Sequence, residues 1–286
     1  GQRYEWQTYS GGKKGDFLTD VLTDEAVIFI EEEAKPFMLY MSYYGVHTPF
    51  QAKKEKIKKY AKKAPHLNKH RHIYAGMVES IDDSVGRVVA TLKKKGVYEE
   101  TLIIFTSDNG GNAKATDHTP LRGNKGSYYE GGIRVPFIAR WPGKVPAGST
   151  AAQMVSVVDI LATTAEIVGT PLPAKQAGAE DSRSFLPVLL GSADAKGRED
   201  MIVHSADGTF AVRKGRWKWI EGVPVDEIAE GARKARKAQF QPQLFDLQAD
   251  PAETKDVSAE HPEVVAEMKD LLRRYRDGGY SRELPP

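Results

Sequence analysis

An adjacent carboxylate and amide stand at the end of a short apolar run in the first half of the chain. Residues 101–106, TLIIFT, predict a buried strand, and Asp108 and Asn109 follow it after one serine. Ligands usually bind beyond the carboxyl ends of strands in open α/β sheets, and these side chains offer hard oxygens that suit calcium or magnesium. Two glycines follow, so a simple turn is an equally good interpretation of the residues alone.

A glycine-containing loop, residues 112–134, carries a second group of candidate residues. Arg122 and Lys125 lie among its glycines, and His118 precedes them. A lysine in such a loop is a compact cation that can hold one oxygen of a sulfate or phosphate. His118 and Arg122 are candidates for lining the same pocket and binding the substrate. A surface loop with ordinary solvated charges is the competing interpretation.

A histidine follows another apolar run. Residues 36–44, PFMLYMSYY, predict a second buried strand, and His47 lies three residues beyond it. An imidazole at this place could act as a general acid or bind an anion. A surface histidine ahead of Pro49 is the more ordinary interpretation.

The stretch 53–72 is strongly basic. It holds nine Lys or Arg against one acidic residue, Glu55. Such a stretch could attract a polyanionic substrate, although a solvated helix face is the favoured interpretation. It lacks the interleaved aromatic residues of a platform for single-stranded nucleic acid.

The elements that must position these residues alternate between helix and strand. Apolar residues recur at three- and four-residue steps over 18–33 and 69–95, which predicts two helices, and Gly96 suits the C-cap of the second. A further strand is predicted at 135–141 and a further helix at 155–168. This alternation argues for an α/β layer with a largely parallel sheet.

The last hundred residues change in character. The stretch 201–222 has alternating residue patterns that are broken by turn signals, which predicts an antiparallel meander. The segment QLFDL, residues 243–247, is predicted to add a strand. A closing amphipathic helix is predicted over 262–276. Its inward residues are expected to be Val264, Val265, Met268, Leu271 and Leu272.

Composition excludes several classes of site. The 286 residues include no cysteine, so disulfides, zinc–thiolate sites and thiol catalysis are excluded within the chain. The net charge of +2 gives no argument for nucleic acid as a partner. No apolar run approaches the ~20 residues that a membrane span needs, so we expect neither nucleic-acid binding nor a membrane span.

Five pieces of the chain occur in an order that is typical of one enzyme family. They are GVHTPF, ESIDDSVGRVV in the long predicted helix, IIFTSDNGG, PLRGNKGSYYEGGIRVPFIARWPG and QLFDLQADPAETKDV. This set spans nearly the whole chain and resembles the type I sulfatases, the arylsulfatase-like branch of the alkaline phosphatase superfamily. The piece from Lys125 to Pro142 is the most specific.

The resemblance implies a role for four positions. His47 matches the family histidine that contacts the sulfate and can protonate the leaving alcohol, and Lys125 matches the lysine that clamps a sulfate oxygen. Asp108 and Asn109 match two ligands of the active-site calcium. A divalent ion, a lysine and an acid should converge where a sulfate ester builds up charge during displacement.

The chain also departs from the family pattern. The family nucleophile is a formylglycine made from the Cys or Ser of a Cys/Ser-x-Pro/Ala-x-Arg motif, and no such motif occurs in the chain. The family's early Asp-Asp calcium pair is also missing, because Asp82 and Asp83 lie inside a predicted helix that follows His47. We therefore expect a piece without its nucleophile, with an incomplete set of Ca²⁺ ligands and no activity alone.

The resemblance implies an α/β fold with two parts. Residues 1–195 are expected to be the C-terminal part of an alkaline phosphatase-like mixed-sheet domain. Residues 196–286 are expected to form a small α+β subdomain with an antiparallel sheet and a C-terminal helix. In the family the late meander helps to close the substrate cleft, so Asp207 and Arg213 are expected to face it, whereas a structural role is favoured for Trp217.

The implied function of the intact protein is removal of sulfate from a carbohydrate or aryl sulfate ester. Its partner would be a sulfated small molecule or polysaccharide, and the protein would be periplasmic or secreted. Two alternatives stay open. A phosphatase or phosphodiesterase of the same superfamily would carry more Asp and His metal ligands than one Asp-Asn pair provides. A non-catalytic polyanion-binding module would use the stretch 53–72 and the Lys125 loop.

Overall fold

The structure is a computed structural model that describes residue 13 and residues 15–174, 178–206, 208–222 and 241–282. Its internal contacts divide the chain into two compact units, Gly1–Thr101 and Leu102–Pro286. Over the described ranges, no helix is both long enough and apolar enough to cross a membrane. The predicted boundary near residue 195 does not separate the two units, and as a domain boundary of an intact protein it stays a prediction.

The first unit is helical. Its elements are α1 (Leu18–Glu32), α2 (Lys54–Lys63), α3 (Lys69–Lys95) and a 3₁₀ turn (Tyr98–Glu100). Both α1 and α2 pack on α3. The Asn68 side chain caps the start of α3 by accepting a hydrogen bond from Arg71 N, and Gly96 ends the helix in the left-handed conformation at φ 80°. The predictions of α1 and α3 are therefore confirmed.

Two glycines of α3 differ in what surrounds them. A Cβ at Gly76 would meet the Cβ atoms of Ala52 and Lys56 at 3.1 and 3.2 Å, whereas a Cβ at Gly86 would have no neighbour within 4 Å. We expect Gly86→Ala to stabilise the chain by up to about 1 kcal/mol, because alanine favours a helix interior. Gly76→Ala should lack this gain or destabilise. Urea unfolding measures both, and equal gains would contradict the close packing of α2 on α3.

The predicted strand at 36–44 is not formed. These residues have a non-repeating backbone, and Met38, Tyr40 and Tyr44 are 67%, 81% and 71% exposed. A strand needs the N–H and C=O groups of a neighbour, and none of the six strands in the described ranges pairs with this run. The prediction of a buried strand is therefore wrong for this structure, because an apolar pattern does not supply its own pairing partner.

The first sheet of the second unit has two antiparallel strands. It pairs β1 (Ile103–Thr106) with β2 (Phe137–Arg140), with Ile103 opposite Arg140. The prediction of a largely parallel sheet is wrong over the described residues, since an apolar run can indicate a strand without giving its direction. The residues of β1 are half-buried or exposed, not buried as predicted. The connection between these strands contains one helix of a single turn, α4 (Glu130–Ile133).

The second sheet confirms the predicted meander. It joins four antiparallel strands in sequential order, β3 (Asp200–His204), β4 (Phe210–Lys214), β5 (Trp217–Ile220) and β6 (Gln243–Asp246). The preceding helices are α5 (Asp159–Ile167) and α6 (Leu186–Leu189), and the closing helix is α7 (Pro262–Gly278). The predictions of α5, β6 and α7 are thus confirmed, with α5 starting four residues late. Asp207, between β3 and β4 in the sequence, lies outside the described residues.

One side of this sheet forms a hydrophobic core with α7. Val212, Trp219 and Leu244 from the strands are buried against three residues of the helix, Met268, Leu271 and Leu272. Val264 and Val265 are partly buried against the same core, so all five predicted inward residues are confirmed. Trp217 also packs against this core, and its ring lies 4.8 Å from that of His261, which agrees with a structural role.

Candidate functional site

The turn after β1 carries the two predicted metal ligands. Asp108 Oδ1 accepts a hydrogen bond from Asn109 N at 2.9 Å, and the side-chain amide nitrogen of Asn109 donates to Asp108 Oδ2. Asp108 is exposed and Asn109 is half-buried. Because the nitrogen of the Asn109 amide is used within the turn, its oxygen and the carboxylate are the groups that remain for a cation.

A close backbone approach joins this turn to the glycine-containing loop. Gly110 N donates to Gly132 O at 2.8 Å, and a Cβ at Gly110 would lie only 2.0 Å from Gly131 O. Lys125 N donates to Gly111 O at 3.0 Å. The two segments that the sequence singled out separately therefore lie side by side in the second unit, held together by main-chain hydrogen bonds.

Lys125 is an exposed residue on this loop. Its ammonium group has no ion-pair partner among the residues that the structure describes. The next carbonyl, Gly126 O, accepts a hydrogen bond from Ala206 N at 3.0 Å, which ties the loop to the end of β3. The backbone of Lys125 is thus held in place while its charge stays free for an anion.

His118 and Arg122 make contacts within the protein. His118 Nε2 accepts a hydrogen bond from Gly111 N at 3.0 Å, so the neutral ring carries its hydrogen on Nδ1. Arg122 Nη1 donates to Glu253 O at 2.8 Å, and the guanidinium lies 3.9 Å from the ring centre of Tyr129. Both side chains support the turn and the loop, and their contact with a substrate stays a prediction.

His47 belongs to the first unit, where its loop leaves it exposed. Its Nδ1 lies 2.7 Å from Thr48 O. A carbonyl can only accept a hydrogen bond, so Nδ1 carries a hydrogen and Nε2 is the ring atom available for proton exchange. The role of His47 at a sulfate stays a prediction.

The oxygens of the Asp108 turn are of the type that calcium prefers, but there are too few of them to bind the ion alone. Calcium takes roughly six to eight oxygen ligands, whereas Asp108 and Asn109 provide two residues. Across the described ranges, no group of three or more His, Cys, Asp or Glu residues is arranged to hold a metal ion. These residues therefore provide part of a hard-oxygen ligand set.

A buried group of charges behind the loop was not predicted from the sequence. Lys218 on β5 and Glu253 are 0% exposed, and Glu130 at the start of α4 is 2% exposed. Lys218 Nζ donates to Glu130 Oε1 at 3.0 Å and makes an ion-pair contact of 2.8 Å with Glu253 Oε1. Glu130 N donates to Glu253 Oε2 at 2.7 Å. We call these three residues the buried charge cluster; its one sequence signal is a lysine between two tryptophans in a predicted strand.

The buried charge cluster is costly by itself. Glu253 has a φ of 54°, a left-handed conformation that costs a non-glycine residue about 1–3 kcal/mol. Burial raises the pKa of the Glu253 carboxyl, and Lys218 offsets only part of this effect. Because the folded-state pKa lies above the unfolded one, ionisation of Glu253 lowers stability as the pH rises between them. Stability alone is therefore a poor reason for the cluster.

Two protein-family models match the chain. The model described as Sulfatase matches residues 2–170. The model described as N-sulphoglucosamine sulphohydrolase, C-terminal, matches residues 124–278. The second match includes Lys125 and the four strands of the second sheet, and the two matches overlap over residues 124–170.

Proteins of similar sequence and structure carry sulfatase names or saccharide ligands. The chain is 34% identical to an N-acetylgalactosamine-6-O-sulfatase of Bacteroides thetaiotaomicron, over 94% of this chain and 53% of that protein. It is 30% identical to arylsulfatase A of Homo sapiens, over 89% and 50%. A crystal structure described as Ps i-CgsB in complex with k-i-k-neocarrahexaose matches with a TM-score of 0.77 and 31% identity, over 92% and 56%. The chain spans about half the length of the curated relatives it matches.

Proposed function

Because the chain belongs to the sulfatase family, we propose that it forms the C-terminal part of a hydrolase that removes sulfate from a carbohydrate or aryl sulfate ester. One structural observation carries the proposal. The hydrogen bonds from Gly110 N to Gly132 O and from Lys125 N to Gly111 O bring the Asp108 turn beside the Lys125 loop. A cation and a lysine can therefore act on the same anion.

In the proposed reaction, the bond from sulfur to the ester oxygen breaks, and negative charge grows on the sulfate oxygens and the departing alcohol. Lys125 Nζ would donate to one sulfate oxygen. Asp108 and Asn109 would contribute ligands to a calcium ion, whose charge would stabilise the same oxygens. His47 would give the proton from Nε2 to the leaving alcohol oxygen. The attacking oxygen would come from a formylglycine, which this chain does not contain.

The chemical class of the substrate is supported by the relatives. One is named for a sulfated amino sugar, and another was crystallised with an oligosaccharide. A sulfated saccharide is therefore the first substrate to test, with a simple aryl sulfate as a chromogenic substitute. We also propose a periplasmic or secreted location for the intact protein, on the family resemblance alone.

A first prediction concerns where the activity resides. We expect the 286-residue chain alone to show no turnover of 4-nitrophenyl sulfate, since it has no nucleophile for covalent catalysis. The DNA upstream is expected to extend the reading frame through a Cys/Ser-x-Pro/Ala-x-Arg motif. Expressed with that extension, and with the nucleophile matured and calcium present, the protein should turn over the sulfate ester.

The matched control for this experiment is 4-nitrophenyl phosphate, assayed with the same extended protein. A higher kcat/KM for the sulfate ester supports a sulfatase, and a higher value for the phosphate ester supports a phosphatase instead. Turnover of the sulfate ester by the 286-residue chain alone would contradict the assignment of the nucleophile to a segment outside it.

A further inference from the structure

Lys218 is connected through Glu130 to both segments of the candidate site. Glu130 is the first residue of α4, and the two glycines that follow it form hydrogen bonds with different segments of the candidate site. Gly131 N donates a hydrogen bond at 2.7 Å to Arg122 O, which lies on the Lys125 loop. Gly132 O accepts one at 2.8 Å from Gly110 N, which lies on the Asp108 turn. Holding Glu130 in place therefore holds the main chain that joins the two segments.

Glu253 forms hydrogen bonds with the same loop at a second place. Its Oε2 accepts the hydrogen bond from Glu130 N at 2.7 Å, and its main-chain oxygen accepts from Arg122 Nη1 at 2.8 Å. Lys218 contacts both carboxylates, and Arg213 Nη1 lies 3.6 Å from the second carboxylate oxygen of Glu130, Oε2. Removing the Lys218 charge would take away the ion-pair partner of Glu253 and leave two carboxylates side by side, which repel each other, with the partly exposed Arg213 beside Glu130.

The main chain around α4 is tightly packed. A Cβ at Gly131 would lie 2.4 Å from Gly123 O, and a Cβ at Gly132 would lie 2.3 Å from Ser127 O. Close-packed interiors transmit displacements instead of absorbing them. A shift of Glu130 therefore has to move the neighbouring loop main chain as well.

From these contacts we propose that Lys218 is a positioning residue, which holds the Asp108 turn and the Lys125 loop at a fixed separation by acting through Glu130 and Glu253. It does not itself contact the substrate. The consequence for turnover rests on the proposed sulfatase function, whereas the consequence for the main chain does not.

A second buried ion pair of the same unit provides the matched control. Arg198 and Asp159 are 8% and 0% exposed, and their charged atoms lie 2.5 Å apart. Asp159 accepts hydrogen bonds from Ser156 N at 2.8 Å and Arg183 N at 2.9 Å. None of its hydrogen bonds involves the Asp108 turn or the Lys125 loop, so breaking this pair tests the generic cost of a lost buried ion pair.

The first test is hydrogen exchange at single amides of the 286-residue chain. In Lys218→Met, we expect the amides of Gly110, Lys125 and Gly131 to exchange at least about tenfold faster, because local opening becomes easier. In Arg198→Met, the amides of Ser156 and Arg183 should accelerate instead. If both variants accelerate the same amides, or if Lys218→Met changes the three loop amides less than twofold, the proposal fails.

Two further variants keep this test informative if Lys218→Met does not fold. Lys218→Arg preserves the positive charge and should restore slower exchange at the loop amides. Glu253→Gln removes one charge but keeps an oxygen that can accept from Glu130 N, so a smaller acceleration of the same amides is expected. Acceleration at Ser156 and Arg183 in Glu253→Gln would argue against a local role.

The second test is kinetic and uses the extended, active protein. A misplacement of about 1 Å costs on the order of a hundredfold in rate, so Lys218→Met should lower kcat by up to that factor, and Lys218→Arg should recover part of it. Arg198→Met should leave kcat near the unmodified value even with a similar loss of thermal stability. Accelerated loop exchange with unchanged kcat would overturn the positioning role in catalysis. An extended protein that lacks sulfatase activity would refute the proposed function and leave the exchange result intact.

Discussion

Replacing Gly110 with alanine is expected to lower the free energy of unfolding by about 3 kcal/mol or more. The added Cβ would lie 2.0 Å from Gly131 O and 2.9 Å from Gly132 Cα. Both neighbours are main-chain atoms, so no side-chain rotation can relieve the contact. One of the two segments must move away, and the hydrogen bond from Gly110 N to Gly132 O must be lost.

Urea unfolding of the 286-residue chain measures this effect. The control is Gly86→Ala, which adds the same methyl group where nothing lies within 4 Å. In the extended protein, the displaced Asp108 turn should also lower kcat/KM by on the order of a hundredfold. Equal unfolding free energies for the Gly110 and Gly86 variants would show that the two segments do not approach as closely as the structure has them.

Replacing Lys125 with alanine in the extended protein is expected to lower kcat/KM for a sulfate ester by about 10²- to 10³-fold, the usual effect of removing one preorganised donor to a developing oxyanion. The stability of the protein should hardly change. The side chain is exposed, and its residue is held by the main-chain bond from Lys125 N to Gly111 O, which alanine preserves.

Lys144→Ala is the matched control for the lysine. Lys144 is also exposed, and its main-chain N donates to Trp141 O at 3.0 Å in the turn after β2. We expect this variant to retain full activity and full stability. The sulfate-clamp role would be refuted if Lys125→Ala kept activity close to that of Lys144→Ala in the same steady-state assay.

Where an element depends on its own residues, the sequence was sufficient to predict it. The helix α3 begins after Asn68 and ends at Gly96 because a side-chain cap and a left-handed glycine are local devices. The closing helix α7 buries the predicted residues because its apolar stripe follows the helical period. Asp108, Asn109 and Lys125 were also selected from the sequence, because polar groups after a strand and among glycines are local patterns.

Pairing between distant segments could not be read from the chain. The apolar run at 36–44 has the composition of a strand, yet no strand within the described ranges pairs with it, and β1 pairs with β2 in the antiparallel direction. Strand formation and direction depend on which other backbone supplies the hydrogen bonds, and apolar composition does not specify that backbone.

The sequence by itself determined the family and the helices with local caps. It also identified Asp108 and Asn109 as candidate calcium ligands and Lys125 as the candidate sulfate-binding lysine. The tertiary structure alone decided how they are held. Glu130 and Lys218 lie 88 positions apart, and Glu130 and Glu253 lie 123 apart. Three charges so distant in sequence carry no common pattern, and only folding brings them together. The attraction of Lys218 to both carboxylates, with Arg213 beside Glu130, makes it possible to bury them directly behind the Lys125 loop.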